Sequence, residues 1–126
     1  MAKEIISTDQ APAAIGPYVQ AVKSHGILFV SGQLGFDMSD GGIPETVEKQ
    51  AENSLKNLES ILKAAGSDKT KILKTTIFLT DMGDFGKVNE VYGVFFEGQN
   101  PARSCVAVKE LPKAAKVEIE CMAEAE

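Results

Sequence analysis

The chain is organised around Pro101-Ala102-Arg103-Ser104-Cys105 and the strand Lys116-Val117-Glu118-Ile119-Glu120 that follows it. Arg103 stands where a loop becomes a strand, and burying its guanidinium there costs free energy unless the charge is paired. The planar fork of an arginine can hold a carboxylate through two parallel hydrogen bonds. If the turn Leu111-Pro112-Lys113-Ala114-Ala115 joins the two strands as a hairpin, Glu118 lies near Arg103. The pattern then predicts either a carboxylate-binding arginine beside a proton-transferring glutamate, or an internal Arg–Glu ion pair.

Composition is typical of a globular protein rather than a disordered one. The 126 residues are 44% hydrophobic and 25% charged, so a single domain over 1–126 with one core is expected. The net charge of −5 argues against a nucleic-acid binder that works through a broad basic surface.

The cysteines, the apolar runs and the first residues bear on the compartment in which the protein works. Cys105 and Cys121 make neither a disulfide framework nor a zinc spacing, so reduced thiols in the cytoplasm are expected. No apolar run approaches the roughly 18 residues of a membrane span. The first residues, Met1-Ala2-Lys3-Glu4, lack the apolar core of a signal peptide. We therefore expect no membrane or nucleic-acid partner, and neither a metal nor a cofactor.

The predicted elements follow the order β-β-β-α-β-α-β-β, an α+β pattern. The clearest element is a helix over 46–65, whose apolar residues recur at three-to-four spacing and which Gly66 closes. A second helix is predicted over 85–96, with Phe85 among its buried residues. The predicted strands are 3–7, 18–22, 27–31, 71–80, the run opened by Arg103, and 116–120, with a glycine-rich loop over 32–42.

Several predicted strands are apolar on both faces. In one of them Ile27 and Phe29 oppose Leu28 and Val30. A strand that is apolar on both sides is usually covered on both sides, and two helices cover only one face of a six-stranded, mostly antiparallel or mixed sheet. A second copy of the chain is the economical cover for the other face, so a homo-oligomer is expected.

Short motifs occur in one order along the chain. They are Gly16-Pro17-Tyr18-Val19-Gln20, Ser31-Gly32-Gln33, Pro101 to Cys105 and Val117-Glu118-Ile119-Glu120, with Lys74-Thr75-Thr76 and Asp84-Phe85 between them. In these motifs the chain resembles the Rid (YjgF-type) family of enamine/imine deaminases, from about Thr8 to Ala123. The resemblance implies a chorismate-mutase-like fold, a homotrimer with sites between subunits, and hydrolysis of 2-enamino or 2-imino acids to 2-keto acids and ammonia.

The resemblance also implies roles for three residues at the site. Arg103 would hold the substrate carboxylate, and the backbone N–H of Cys105 would add a second donor. Glu118 would position and deprotonate a water and then return the proton to the departing nitrogen. Burial raises the pKa of a carboxylate and a nearby arginine lowers it, so the sequence leaves the balance open.

Three further positions match those that line or shape the family's pocket, namely Tyr18, Ser31 and Asn89. Each also has a plain structural alternative. Tyr18 would be a core aromatic with a bonded hydroxyl, Ser31 a strand-end residue, and Asn89 a partner in capping or helix–loop bonding. The loop 96–100 departs from the family's pattern just before Pro101, which puts substrate range and rate in doubt more than reaction type.

Other residues compete for the chemical roles. Glu120 lies on the same strand face as Glu118, about 7 Å along, and is a rival for proton transfer. We favour Glu118 because its place matches the family motif. Cys105 would need a base or cation to act as a nucleophile, and only Arg103 offers charge, so a pocket wall or main-chain donor is expected. The single histidine, His25, lies in a predicted turn and is expected to be solvated.

Two other functions remain open from the sequence. A non-catalytic binder of small 2-keto carboxylates would use the same arginine, and Glu118 is the one feature that such a binder does not need. An endoribonuclease, an activity sometimes attributed to the family, is disfavoured by the acidic balance, the lack of a histidine pair and the absence of basic runs.

Overall fold

Both ends of the longest helix, α1 (Val47–Ala64), are capped in the computed structural model, which describes residues 3–126. The side-chain oxygen of Thr46 accepts a hydrogen bond from the Lys49 N–H at 3.2 Å. Gly66 follows the helix in the left-handed conformation, at φ +78°. The apolar stripe of α1 is buried, so the amphipathic helix predicted over 46–65 is confirmed, with its first and last residues acting as caps.

The second helix, α2 (Phe85–Phe96), begins and ends at the predicted residues. Tyr92 and Phe96 are buried against the core. Phe85, which was expected to be buried, is 36% exposed. That expectation is wrong because Phe85 stands in the first turn of the helix, where its ring lies beside the Arg103 guanidinium.

Six strands form one mixed sheet in the order β1-β2-β3-β6-β4-β5. They are β1 (Glu4–Ile6), β2 (Ala21–Ser24), β3 (Ile27–Leu34), β4 (Ile72–Leu79), β5 (Ala102–Ala107) and β6 (Val117–Glu124). Neighbouring strands run antiparallel except β4 and β5, which are parallel. Helix α1 packs on β3 and β6, and α2 packs on α1. The predicted α+β class, with a six-stranded mixed sheet and two helices on one face, is confirmed.

The predicted hairpin between β5 and β6 is wrong, because β4 lies between these two strands. Strand β4, helix α2 and strand β5 form a parallel crossover unit, and β6 then enters antiparallel between β3 and β4. Both ends of the connecting loop are attached to the end of β4. The Val108 N–H donates to the Leu79 carbonyl at 2.7 Å, and the Thr80 N–H donates to the Lys116 carbonyl at 3.2 Å. Turn residues predict a reversal of the chain but not which strand becomes its neighbour.

Strand β3 continues beyond the predicted end at residue 31, to Leu34. Its register against β6 shifts between Val30 and Gln33, which marks a bulge. Gly32, expected in the glycine-rich loop, therefore lies inside a strand. The prediction stopped short because glycine weakens the strand signal, although it often marks a bulge or a close approach.

The face of the sheet opposite the helices carries large apolar side chains in contact with solvent. Phe29, Val106 and Met122 on this open face are 46%, 43% and 40% exposed. The apolar character predicted for both faces of the sheet is therefore present, and within residues 3–126 the helices cover only one of them. None of the helices in that range is both long and apolar enough to span a bilayer.

Candidate active site

Arg103 lies on β5 at the edge of the sheet and points towards helix α2. Its Nη1 donates a hydrogen bond to Oδ1 of Asn89 at 2.7 Å. Its guanidinium carbon lies 5.0 Å from the ring centre of Tyr92 and 5.5 Å from that of Phe85, within the range of cation–π attraction. Among residues 3–126, no Asp or Glu forms a salt bridge with Arg103. The internal Arg–Glu ion pair is therefore not formed within this part of the chain.

The residues that surround Arg103 occupy one stripe of α2. Phe85, Asn89 and Tyr92 follow one another at i, i+4 and i+7, a spacing that places them on the same face of a helix. Asn89 was predicted as a site residue, and its amide oxygen accepts from Arg103 rather than from a cap or a loop. The two rings were missed, and only their helical spacing around Asn89 signalled them.

Cys105 lies two residues further along β5, on the same side of the strand as Arg103. Burial raises the pKa of its thiol, and the nearby Arg103 charge lowers it by less. A protonated thiol is a weak nucleophile, so the structure gives no support to a nucleophilic role. A contribution from the main-chain N–H of Cys105 stays a prediction.

Glu118 lies on the open face of the sheet and lines a cavity of about 330 Å³. Burial raises the pKa of its carboxyl group, and the nearby Glu120 carboxylate raises it further. The walls of this cavity include Ile15, Tyr18, Gly32, Leu34, Phe36 and Pro112. Glu118 is thus a partly desolvated carboxyl group in a largely apolar concavity, and its raised pKa makes it a better proton acceptor than an ordinary glutamate.

Because Gly32 has no side chain, the Glu118 carboxyl group can occupy the space beside it. A Cβ atom at position 32 would lie 2.9 Å from Cδ and 3.0 Å from Oε2 of Glu118. Real Cβ atoms essentially never approach a neighbour that closely, so a side chain at position 32 would push the carboxyl group away from its present place.

Glu120, the rival carboxylate, is exposed and lines a different cavity, of about 210 Å³, on the same face of the sheet. Lys74 and Thr76 contribute to that cavity, and Tyr18 does not. Of these two carboxylates, Glu118 is therefore the one that shares a cavity with Tyr18. Which of the two transfers a proton stays a prediction. Among residues 3–126, no group of three or more His, Cys, Asp or Glu side chains is arranged to hold a metal ion.

Tyr18 stands in a loop rather than in the strand predicted over 18–22. Its N–H donates to the Gly16 carbonyl at 2.9 Å, which closes a turn and delays the start of β2. The Tyr18 side chain is 51% exposed, so the core-aromatic alternative is wrong. Ser31 Oγ donates to the Val19 carbonyl at 2.6 Å. Ser31 therefore attaches the Tyr18 loop to β3 and shapes the cavity wall through that loop.

Gln20 holds the other end of this loop, and its role was missed from the sequence. The side chain is only 4% exposed. Its Oε1 accepts from the Thr8 N–H at 2.7 Å, and its Nε2 donates to the Pro12 carbonyl at 2.8 Å. The available signal was a long polar residue between two apolar ones, Val19 and Ala21, at the start of a strand.

Helix α1 supports the far wall of the Glu118 cavity through buried amides, which were also missed. Asn53 donates to the Gly35 carbonyl at 3.2 Å, and Asn57 donates to the Phe36 carbonyl at 3.1 Å. Gln50 accepts from the Lys116 N–H at 2.8 Å, two residues before Glu118. These amides tie the segment after β3 and the start of β6 to one rigid helix.

The site residues identified from the sequence fall into two groups on opposite faces of the sheet. We call Arg103, Cys105 and Asn89 the arginine group, and Glu118, Tyr18 and Ser31 the glutamate group. Arg103 pairs with Thr75 of β4, whereas Glu118 pairs with Phe78. Thr75 and Phe78 are three residues apart on β4, which is about 10 Å along the strand. A small ligand therefore touches only one group within a single chain.

The sequence is similar to a family model and to curated proteins over almost all its length. The family model described as Endoribonuclease L-PSP matches residues 8–125. The mouse 2-iminobutanoate/2-iminopropanoate deaminase is 50% identical over 96% of this chain and 90% of its own length. Arabidopsis thaliana Reactive Intermediate Deaminase A, chloroplastic, is also 50% identical over 96% of this chain, which spans 65% of that longer protein.

A solved structure extends the likeness to three dimensions. The crystal structure of Escherichia coli TdcF with bound serine superposes with a TM-score of 0.93 at 46% identity, covering 98% of this chain and 99% of that one. Since the family model spans nearly the whole chain and a solved relative of 46% identity shares its fold, the protein belongs to the Endoribonuclease L-PSP family, the family of the YjgF and Rid proteins.

Proposed function

We propose that the chain is a hydrolytic deaminase that converts reactive 2-enamino and 2-imino acids, such as 2-aminoacrylate and 2-iminopropanoate, to 2-keto acids and ammonia. The observation that carries the proposal is the state of Arg103. Its guanidinium is held by Asn89 and two aromatic rings, yet within residues 3–126 no carboxylate pairs with it. Relatives named 2-iminobutanoate/2-iminopropanoate deaminase at 46–50% identity support the reaction class.

Arg103 would bind the carboxylate of the substrate. Among residues 3–126 only its Nη1 is engaged, with Asn89, which leaves further N–H groups of the fork to donate to a ligand. Two charge-assisted hydrogen bonds to a planar carboxylate would fix the orientation of the adjacent C=N carbon. Asn89 and the two rings hold the fork in advance, so less freedom is lost when the ligand binds.

Glu118 would transfer the protons. As a carboxylate it accepts a proton from a water whose oxygen bonds to the C=N carbon of the imine tautomer, and it passes that proton to nitrogen to give a carbinolamine. It then moves the hydroxyl proton to the same nitrogen, so that the C–N bond breaks, ammonia leaves and the keto carbonyl forms. A raised carboxyl pKa suits both steps, because the group must accept and donate at nearly equal cost.

The two groups would meet between subunits of a homotrimer. Within one chain they lie on opposite faces of the sheet, and the open face exposes apolar side chains such as Phe29 and Met122. A neighbouring copy that covers this face would bring its arginine group towards the first chain's glutamate group. The trimeric count follows from the family resemblance. The cytoplasm is the proposed compartment, and the free thiols of Cys105 and Cys121 suit its reducing conditions.

A non-catalytic binder of small 2-keto carboxylates is the second candidate. It is favoured by the fact that the arginine group is complete within one chain and needs no glutamate. The partly buried Glu118, with its raised pKa, has no purpose in such a binder. An endoribonuclease is disfavoured by the net charge of −5 and by the lone His25, which lies exposed in the turn between β2 and β3.

One assay separates these functions. An amino-acid dehydratase generates 2-aminoacrylate in solution, and pyruvate formation is followed with and without the protein. We expect the protein to accelerate pyruvate formation, and Arg103→Ala to abolish the acceleration. A rate equal to the spontaneous one, combined with calorimetric binding of pyruvate, would instead establish the binder.

A further inference from the structure

Two buried hydroxyl groups meet on residues that neighbour Arg103. The Tyr92 hydroxyl and Thr75 Oγ1 lie 2.6 Å apart, in a hydrogen bond that either can donate. Thr75 is 0% exposed and Tyr92 is 5% exposed. Taking two hydroxyls out of water costs free energy that a phenylalanine facing a valine in the same space would not. Core stability alone therefore gives little reason for this pair to be polar.

The pair is joined to Arg103 from two sides. Thr75 on β4 is the Cα partner of Arg103 on β5 in the parallel ladder. The ring of Tyr92 lies on the other side, with its centre 5.0 Å from the guanidinium carbon. The ladder, the hydrogen bond and the ring contact thus form a closed triangle that links helix α2 to the two strands at this position.

We propose that the hydrogen bond between Tyr92 and Thr75 positions the Arg103 guanidinium for the substrate carboxylate, which makes both of them positioning residues of the site. The inference rests on the proposed function, because it takes Arg103 to be the group that binds that carboxylate. The hydroxyl bond fixes the height and tilt of the Tyr92 ring over β4. The ring in turn sets the plane in which the arginine fork lies, while Asn89 sets its rotation through Nη1.

The hydrogen bond between Tyr92 and Thr75 does not depend on pH across the neutral range. Burial raises the pKa of the Tyr92 hydroxyl above its ordinary value near 10, outweighing the hydrogen bond to Thr75 and the Arg103 charge, which lower it. The hydroxyl therefore keeps its proton, and the hydrogen bond survives, wherever the enzyme works near neutrality. The Phe85 ring on the other flank has no such anchor and is 36% exposed, so the fixed reference for the guanidinium is Tyr92.

The test compares Tyr92→Phe, Thr75→Val and the double variant. Pyruvate affinity is measured by calorimetry, turnover by the dehydratase-coupled assay, and stability by urea unfolding. We expect each single variant to bind pyruvate about three- to tenfold more weakly, a smaller effect than the roughly hundredfold loss of rate that a 1 Å misplacement of reacting groups can cause. KM should rise with kcat nearly unchanged, because the carboxylate contact acts equally in the ground and transition states.

The double variant separates positioning from stability. Each single variant leaves one buried hydroxyl without its partner and should lose stability, whereas the double variant replaces both partners and should regain it. Positioning predicts that pyruvate affinity stays low in the double variant although stability returns. If affinity returns together with stability, the pair is only a core contact and the inference is wrong.

The experiment includes two further variants, a control and one that tests Arg103 itself. Ser54→Ala removes a buried hydroxyl on α1 that has no hydrogen-bond partner among residues 3–126, and it should leave pyruvate affinity unchanged. Arg103→Ala distinguishes the two proposals. If it binds pyruvate like the parent chain, the proposed function itself fails. If it loses binding while the Tyr92→Phe and Thr75→Val proteins bind normally, only the positioning role fails.

Discussion

Arg103 is a half-buried guanidinium without a carboxylate beside it in residues 3–126. Desolvation of such a charge opposes folding, and the Asn89 oxygen and the two rings offset only part of that cost. A residue chosen for stability alone would be apolar or would be paired with an acid. The unpaired charge therefore points to a ligand whose carboxylate completes the site.

Replacing Arg103 should remove ligand binding while leaving the fold intact. Arg103→Ala should weaken pyruvate binding by about 2–5 kcal/mol, the usual effect of losing one partner of a buried charge pair. Arg103→Lys should also bind poorly, since a point charge cannot reproduce the planar fork. Calorimetry checks both, with Lys87→Ala, an exposed cation on α2, as the matched control. Normal binding by the lysine variant would mean that charge alone suffices.

Replacing Glu118 should separate binding from turnover. Glu118→Gln keeps the size of the side chain and its hydrogen bonding but removes the base, so pyruvate should still bind while kcat falls by roughly 10²–10⁴-fold. Glu120→Gln, two residues along the same strand face, should turn over nearly normally. The coupled assay and calorimetry measure both properties. The opposite result for the two variants would show that Glu120 carries the proton.

The same substitution should affect stability in a pH-dependent way. Burial, and to a lesser extent the neighbouring Glu120 carboxylate, raise the pKa of Glu118 in the folded state above its ordinary value of 4.5. The folded state therefore holds this proton more tightly than the unfolded state, and the contribution to stability falls as pH rises from about 4.5 through the raised pKa. Glu118→Gln should remove that loss and be more stable than the parent at pH 7 in urea unfolding. Equal stability at pH 7 would argue that Glu118 is well solvated.

At the scale of elements, local patterns predicted the helices well and the strand neighbours poorly. The three-to-four apolar spacing of α1, its Thr46 cap and Gly66 are all contained within one stretch of sequence. The position of β6 between β3 and β4 depends instead on pairings between residues far apart in sequence. The roles of Gln20 and Tyr92 were missed for the same reason, because their partners Thr8 and Thr75 lie outside the local window.

The buried amides of α1 should contribute to stability through the segment that follows β3. Asn57 donates to the Leu34 and Phe36 carbonyls at 3.3 and 3.1 Å and is 3% exposed. Asn57→Ala would leave both carbonyls without this donor and should cost about 1–3 kcal/mol in urea unfolding. Ser60 is the control site, because its partly exposed hydroxyl on the same helix donates to the Lys56 carbonyl. Ser60→Ala should change stability little. If Asn57→Ala is as stable as the parent, water hydrogen-bonds the two carbonyls in place of the amide.

At the scale of the whole molecule, the two faces of the sheet divide the site. The alternation of β6 places Glu118 on the open face, and the contact with α2 places Arg103 on the helix face. The sequence predicted that both faces are apolar and hence that another copy covers one of them. It did not predict that the arginine and glutamate groups are separated, because that conclusion needed the true strand order.

Mixing two inactive variants tests whether one site takes residues from two subunits. Arg103→Ala and Glu118→Gln chains are unfolded together and refolded at equal amounts, and the proposed trimers are isolated by sedimentation. In a cyclic trimer with random mixing, about one quarter of the interfaces would pair an intact Arg103 with an intact Glu118 from its neighbour, so about one quarter of the parent activity should return.

Arg103→Ala refolded with the double variant Arg103→Ala/Glu118→Gln is the control and should stay inactive. No recovery in trimers that contain both single variants would show that each site uses Arg103 and Glu118 of the same chain, and a soluble monomer at micromolar concentration would remove the basis for a shared site.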